Sequence, residues 1–384
     1  MLAGREKVTR PAKHNMDYVL LTVVIFLVCF GLLMIYSASS YEAGLDFGDS
    51  AYYLKKQAFA TLLGFGGMIF VANFPYKMWQ RFDWLAILIA IVLLLLLKTP
   101  LGVTKNGATR WLNLGIGMTI QPAEVAKIAV IVYVASMIQR LEKINTNIIR
   151  TPKGIAIVMG PTLLIAGMIY IISKNMSSAI IVVGIAVVMI FVSVPDYKLF
   201  VIIGILGIVA VVGVVILATQ GGAGTSFRLS RVQAWLNPEA YSSDKAFQTL
   251  QALYAIGSGG IWGKGLGQSM QKRRFLPEAQ NDMIFSIICE ELGLFGAIII
   301  ILLFVALIWS CMVIANKSTE RFGSLIVIGV MAHYAIQVIL NIAVVTNTIP
   351  NTGITLPFIS YGGTASLFLL AEIGLVLNVS KHCK

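Results

Sequence analysis

Apolar residues along this chain gather in long runs instead of recurring at the two-residue or 3.6-residue periods of half-buried strands and helices. Runs near the roughly 20 residues that cross a hydrocarbon core of about 30 Å occur at 18–39, 57–74, 82–98, 122–139, 154–173, 177–194, 199–218, 283–312, 323–345 and 363–380. A bilayer interior offers no water to unpaired backbone groups, so each run is expected as a helix. The pattern therefore predicts an all-α polytopic membrane protein with ten transmembrane helices. The eighth run is too long for one perpendicular crossing and is expected to tilt or to begin above the membrane. Residues 1–17 read as a tail, and 18–384 as a single membrane domain. The first run is long for a signal-peptide core and lacks a small-residue cleavage site, so it is expected to stay as a span. Connections between runs are short except at 219–282, where about sixty residues separate spans seven and eight.

Composition agrees with the pattern. Apolar residues make up 58% of the chain and charged residues 12%, with a mean hydropathy of +0.86, which excludes a soluble, secreted or disordered protein. The formal net charge of +12 would suggest nucleic acid in a soluble chain. Here the basic residues sit mostly in short loops, where they read as topology signals facing anionic lipid. With the N-terminus inside, the inner loops hold fifteen Lys and Arg and the short outer loops six, so both termini are expected in the cytoplasm and 219–282 outside. Cys29, Cys289, Cys311 and Cys383 show neither a disulfide framework nor metal-ligand spacing.

The long outer connection carries Arg228, Arg231, Trp235, an amphipathic stretch Phe247–Leu253 and a glycine-dense run from Gly257 to Gly267, a mixture expected to be ordered. Ionisable residues inside the spans are expensive and few. Glu124 and Lys127 follow Pro122 at the start of span four, and their spacing of three puts both on one helical face. They form either a structural ion pair or one wall of a polar cavity. Glu290 and Glu291, about 100° apart around span eight, are not expected to share a neighbour, and one is expected to line a cavity. His333, Gln337 and Asn341 recur at every fourth residue of span nine, which suits hydrogen bonding between helices, and Glu372 adds a charge to span ten.

Asp282 stands where the outer connection meets span eight. It can cap the helix, or it can act as a carboxylate at the membrane surface. Lys272, Arg273 and Arg274 lie just upstream, and Glu278 adds a second carboxylate. Such a grouping suits a reaction on an anionic lipid headgroup. The chain has no phosphate-binding loop of the GxxxxGK[ST] type, and its glycine run follows no strand, so a substrate must bring its own activation.

The motifs Gly107–Leu112, Gln121-Pro122-Ala123-Glu124 with Lys127, Ala255–Gly260 with Gly263, Gly265 and Gly267, Phe275–Ala279 through Asp282, Glu290–Gly293, and Gly353–Gly363 resemble those of the SEDS family (shape, elongation, division and sporulation) in order and spacing over nearly the whole chain. Gln280-Asn281 replaces a frequent His-Thr. Lys174–Ser178 resembles the division-type pattern Glu-Asn-Leu-Ser-Thr more than the elongation-type one, with Lys174 in place of Glu. The resemblance implies a ten-helix peptidoglycan glycosyltransferase of the bacterial plasma membrane. It would polymerise lipid II, the undecaprenyl-pyrophosphate-linked disaccharide peptide, at the outer face beside a class B penicillin-binding transpeptidase and other division or elongation proteins. On the family's motifs Asp282 is the catalytic aspartate, and Glu124 and Lys127 are the intramembrane charged pair. Attack by an acceptor hydroxyl on the activated sugar would invert the linkage, with Asp282 taking the proton. Arg110, Lys264, Lys272, Arg273, Arg274 and Glu278 would face the substrate headgroup. No metal site is indicated; a divalent cation on the pyrophosphate is compatible with this chemistry, but no carboxylate cluster calls for one. A lipid II flippase and a non-catalytic scaffold are the rival readings. The first would place polarity at the midplane and show inverted repeats, and the second leaves Asp282 beside its cations unexplained.

Overall fold

The computed structural model describes residues 16–105, 107–113, 115, 119–145, 147–194, 200–201, 205, 233, 235–241 and 246–383. Most of the expected span at 199–218, together with Lys198, Arg228 and Arg231, lies outside the described residues.

Helices dominate, and local sequence explains where several begin. Helix α1 (Tyr18–Phe47) opens on Asp17, whose carboxylate accepts from the Leu20 amide at 2.9 Å. Helix α2 is Tyr52–Asn73, and α3 (Asp83–Leu96) is entered through a turn at Tyr76–Trp79 and a 3-10 turn at Gln80–Phe82. Helix α4 (Pro122–Ile144) starts on a proline, which needs no amide partner in the first turn. Helix α5 (Pro152–Ile172) is capped by the Thr151 hydroxyl, and α6 (Met176–Ser193) by Asn175. A shorter helix α7 (Phe247–Gly259) lies within the long connection. Three more follow: α8 (Ile284–Lys317), α9 (Arg321–Val345) and α10 (Thr364–Ser380).

Among the described residues seven helical segments are long and apolar enough to cross a membrane, which makes this a multi-pass membrane protein. Helix α4 is the centre. Of its most apolar window 83% lies inside the protein, against 22% for the segment Tyr76–Leu96, which turns most of its surface outward. Helices α3, α6 and α9 pack around α4, α2 pairs with α10, and α1 and α9 flank α8. The α2–α10 seam is close because small residues line it. A Cβ on Gly64 would come within 2.7 Å of the Leu370 side chain, and one on Gly374 within 2.6 Å of the Met68 carbonyl.

The expectation of an all-α chain is corrected at one place. Between α3 and α4 the chain forms a three-stranded antiparallel sheet of β1 (Gly102–Lys105), β2 (Ala108–Asn113) and β3 (Thr119–Ile120), with Val103 opposite Trp111 and Leu112 opposite Ile120. The motif Gly107–Leu112 is thus a turn and strand. Strands this short are invisible to a search for apolar runs of membrane length.

Helix α8 holds 34 residues, about 51 Å at 1.5 Å per residue, far more than one perpendicular crossing requires. It is broken at Gly293, whose φ of 68° and ψ of −168° lie outside the helical region and suit a residue without Cβ. The glycine-dense segment of the long connection docks on this break. The Lys264 and Gly265 amides donate to the Glu290 and Glu291 carbonyls at 2.9 Å, and the Leu294 and Phe295 amides donate to Gly260 and Ile261 at 2.9 and 3.2 Å. Approach is so near that a Cβ on Gly259 would lie 1.9 Å from the Cys289 carbonyl oxygen. Gly259→Ala is therefore expected to lower the thermal unfolding midpoint in detergent, by an overpacking cost of about 1–3 kcal/mol. Gly66→Ala on α2, where a Cβ meets nothing within 4 Å, should hold or raise it. Equal midpoints for the two variants would show that the segment is not seated on α8.

Candidate functional site

Asp282 lies two residues before α8 and is half-buried. The capping position belongs to Met283, and no side chain caps this helix, so the capping reading of Asp282 is set aside. Three chain segments meet at Asp282 instead. Its carbonyl accepts from the Asn341 side chain of α9 at 2.8 Å, its Oδ1 faces the Gln248 amide of α7 at 3.5 Å, and a Cβ on Gly353 would stand 3.7 Å from its Oδ2. Among the described residues no cation pairs with it. Burial pushes the carboxyl from its ordinary 3.8 up to about 7, the nearby Glu278 charge adds to the rise, and hydrogen bonds from its own amide and from Gln248 oppose it.

The cations expected around Asp282 have other tasks. Lys272 is buried, with its Nζ 2.7 Å from Glu291 and 3.1 Å from the Ser37 hydroxyl of α1, so it is corrected from a headgroup ligand to a structural partner. Lys264 is 2.7 Å from Glu290 and 2.9 Å from the Ser258 hydroxyl, and its side chain stays 34% exposed, enough to meet a ligand. Arg274 pairs with Asp46, and Glu278 accepts from Asn281. Arg273 is exposed and enters no ion pair among the described residues. Arg110 lies on β2 and reaches the Lys174 carbonyl at 3.5 Å.

Glu290 and Glu291 correct the expectation that one of them lines a cavity. Both are fully buried, and each receives its own lysine from the docked segment. Ser269 donates to Glu290, the Met270 and Gln271 amides donate to it at 3.1 and 3.3 Å, and Ser37 donates to Glu291 at 2.7 Å. Two adjacent residues on one helix can thus face one segment because that segment wraps both sides of the break.

Below this layer the polar residues of the spans join into one chain. Lys127 is 2.8 Å from Glu124, with 2% and 9% of their side chains exposed. Lys127 also donates to Gln337 Oε1 at 3.4 Å, which accepts from His333 Nε2 at 2.8 Å, while His333 Nδ1 meets Glu372 at 2.8 Å. Because Gln337 Nε2 donates to the Thr355 carbonyl at 3.0 Å, its oxygen must face His333, whose Nε2 therefore donates to it. Helices α4, α9 and α10 are tied together this way, and Asn341, one turn along α9, extends the tie to Asp282. Gln248, Asn351, Ser37 and Ser269 are site residues that sequence reasoning missed. For the two serines a signal existed: two adjacent buried glutamates require donors beyond two lysines.

The family described as cell cycle protein, which comprises FtsW, RodA and SpoVE, matches residues 17–384. Stage V sporulation protein E of Bacillus subtilis (strain 168) is 37% identical over 373 residues, covering 97% of this chain and 99% of that one. A probable peptidoglycan glycosyltransferase FtsW of Trichlorobacter lovleyi is 37% identical over 369 residues, covering 96% and 94%. Among solved structures, a chain from work on structural coordination of polymerization and crosslinking by a peptidoglycan synthase complex superposes with a TM-score of 0.76 at 22% identity, covering 95% and 97%. The rod shape determining protein RodA of Thermus thermophilus superposes with a TM-score of 0.67 at 23% identity, covering 95% and 96%.

Two expectations arise from this geometry. A carboxyl raised from 3.8 unfolded to about 7 folded binds more protons in the folded state between those values, so it lowers stability as pH rises through that window. Asp282→Asn should therefore unfold at a higher temperature than the parent at pH 8 and at the same temperature at pH 4; a pH-independent difference would contradict the shift. Neutralising Glu124 or Lys127 singly leaves a buried, unpaired charge at a cost of about 3–5 kcal/mol. The double neutralisation should cost less than the sum, and strictly additive losses of folded yield would sink the pairing.

Proposed function

This chain belongs to the FtsW/RodA/SpoVE family of cell cycle proteins, and on that premise we propose that it is a peptidoglycan glycosyltransferase that polymerises lipid II with inversion at the outer membrane face. The feature that carries the reading is the half-buried Asp282 carboxylate two residues before α8, which no cation pairs among the described residues and which burial pushes up to about 7. Such a group is a stronger base than an ordinary aspartate and is still substantially deprotonated near neutral pH. In this reading Asp282 takes the proton of the acceptor hydroxyl as the new glycosidic bond forms. The partly exposed Lys264, the exposed Arg273 and Arg110 on β2 are the groups proposed to balance charge on the departing lipid pyrophosphate.

The proposed topology has ten spans, with the seventh at 199–218, the connection 219–282 outside, the tail 1–17 and both termini in the cytoplasm, and 18–384 as one membrane domain. The proposed partner is a class B penicillin-binding transpeptidase, a reading supported by the fold shared with the peptidoglycan synthase complex chain. The FtsW-named relatives support a division-type role, and the stage V sporulation protein, at the same 37% identity, brings a sporulation role within reach.

Asp282→Asn keeps the size of the side chain but cannot accept a proton. Reconstituted with purified lipid II, this variant should fold and bind substrate yet polymerise about 10²–10⁴-fold more slowly; near-normal glycan synthesis would remove Asp282 from the mechanism. Topology is checked separately in a cysteine-free background. A cysteine replacing exposed Thr99 should react with a membrane-impermeant thiol reagent on intact cells, and one replacing exposed Asn145 only after permeabilisation. The reverse pattern would invert the assignment.

A further inference from the structure

We propose that Gln248, held by Asn351, is a positioning residue that orients the Asp282 carboxylate and favours its ionised form, a role that rests on the reading of Asp282 as general base. The orientation of each amide follows from the next. The Gly353 amide, which can only donate, bonds Asn351 Oδ1 at 3.1 Å, so Asn351 turns its Nδ2 toward Gln248 Oε1 at 2.9 Å. The Gln248 Nε2 is thereby aimed at the Pro277 carbonyl at 3.1 Å and Asp282 Oδ1 at 3.5 Å. Rotation of the Gln248 amide would set oxygen against two acceptors and lose the Asn351 bond.

The segment that carries Asn351 is itself held from two sides. Ser177 of α6 donates to the Thr352 carbonyl at 2.7 Å, and Trp235 of the outer connection donates to Asn347 at 2.9 Å. Gly353 turns at a φ of 67°, which favours glycine, and a Cβ there would stand in ordinary contact, 3.7 Å, with Asp282 Oδ2. Oδ1 is therefore the oxygen that faces the Gln248 amide, and Oδ2 the one that faces Gly353. Among the described residues the groups facing Asp282 are Gln248 of α7, Glu278 of the preceding turn, Asn341 of α9 and the Gly353 backbone. Of these only Glu278 is charged, and it disfavours the carboxylate. A neutral amide stabilises the charged form without cancelling its charge as Lys or Arg would, so the base keeps its strength while its lone pairs stay in register.

The test is the pH profile of lipid II polymerisation by the full chain in liposomes. Parent protein should show a rate that rises with a midpoint near 7. Gln248→Leu should move the rising limb to the alkaline side by about half a pH unit or more and recover much of the parent rate above it, and Asn351→Ala should shift it in the same direction. If Gln248→Leu does not accumulate, Gln248→Met keeps the length without the donor and must show the same shift. A rate reduced by one factor at every pH, with the midpoint unmoved, would make Gln248 a mere brace and overturn the proposal. Asp282→Asn in the same assay keeps the two ideas apart. Its inactivity beside an unmoved Gln248→Leu profile defeats only the positioning role, whereas its activity defeats the general-base reading itself.

Discussion

Two ion pairs with buried carboxylates at a broken helix carry the rest of this structure. Gly293 interrupts α8 and leaves the Glu290 and Glu291 carbonyls without helical donors, while the same two residues bring a pair of carboxylates to buried positions. In a membrane protein neither can go unmatched, because unpaired backbone groups and isolated charges are both costly there. One stretch of the outer connection answers both needs. Its Lys264 and Gly265 amides take the carbonyls, and Lys264 and Lys272 take the carboxylates. Once that stretch is seated, α7 and the turns up to Met283 have little freedom, and with them Gln248 and Asp282.

The same economy governs α9. A polar residue every fourth position gives one face that touches α10 through His333, α4 through Gln337 and the Asp282 site through Asn341. Each contact is a hydrogen bond between elements distant in sequence, so α9 acts as a ruler that sets the height of Asp282 relative to the intramembrane pair. Such polar stripes join helices in a medium where apolar packing alone discriminates little between partners. Asp282 is the exception to full compensation. Among the described residues its carboxylate gains one weak side-chain donor and no cation, and burial without that compensation raises its pKa.

Much of this was legible beforehand for simple reasons. Long apolar runs and basic loops report the solvent, so the starts of α1 and α4 and both ends of α9 could be placed to within two residues, and a three-residue spacing put Glu124 and Lys127 on one face, where they pair. What escaped depended on contacts across long separations. Lys272 looked like a headgroup ligand because its local neighbours are Arg273 and Arg274; that it turns inward to Glu291 and to Ser37, 235 residues away, is a property of the fold alone. The sheet escaped because its strands are two to six residues long, and Asn351 because its bond to Gln248 spans 103 positions.

Hydrogen–deuterium exchange of the amides at 263–265 and 269–271 tests the central claim most directly, since the docking of this segment on the α8 break is what holds the site. Parent protein in liposomes should protect these amides for hours, and replacing both Glu290 and Glu291 by Gln should release them together with the first turn of α7. Exchange within seconds in the parent, or protection unchanged by the double substitution, would contradict the account.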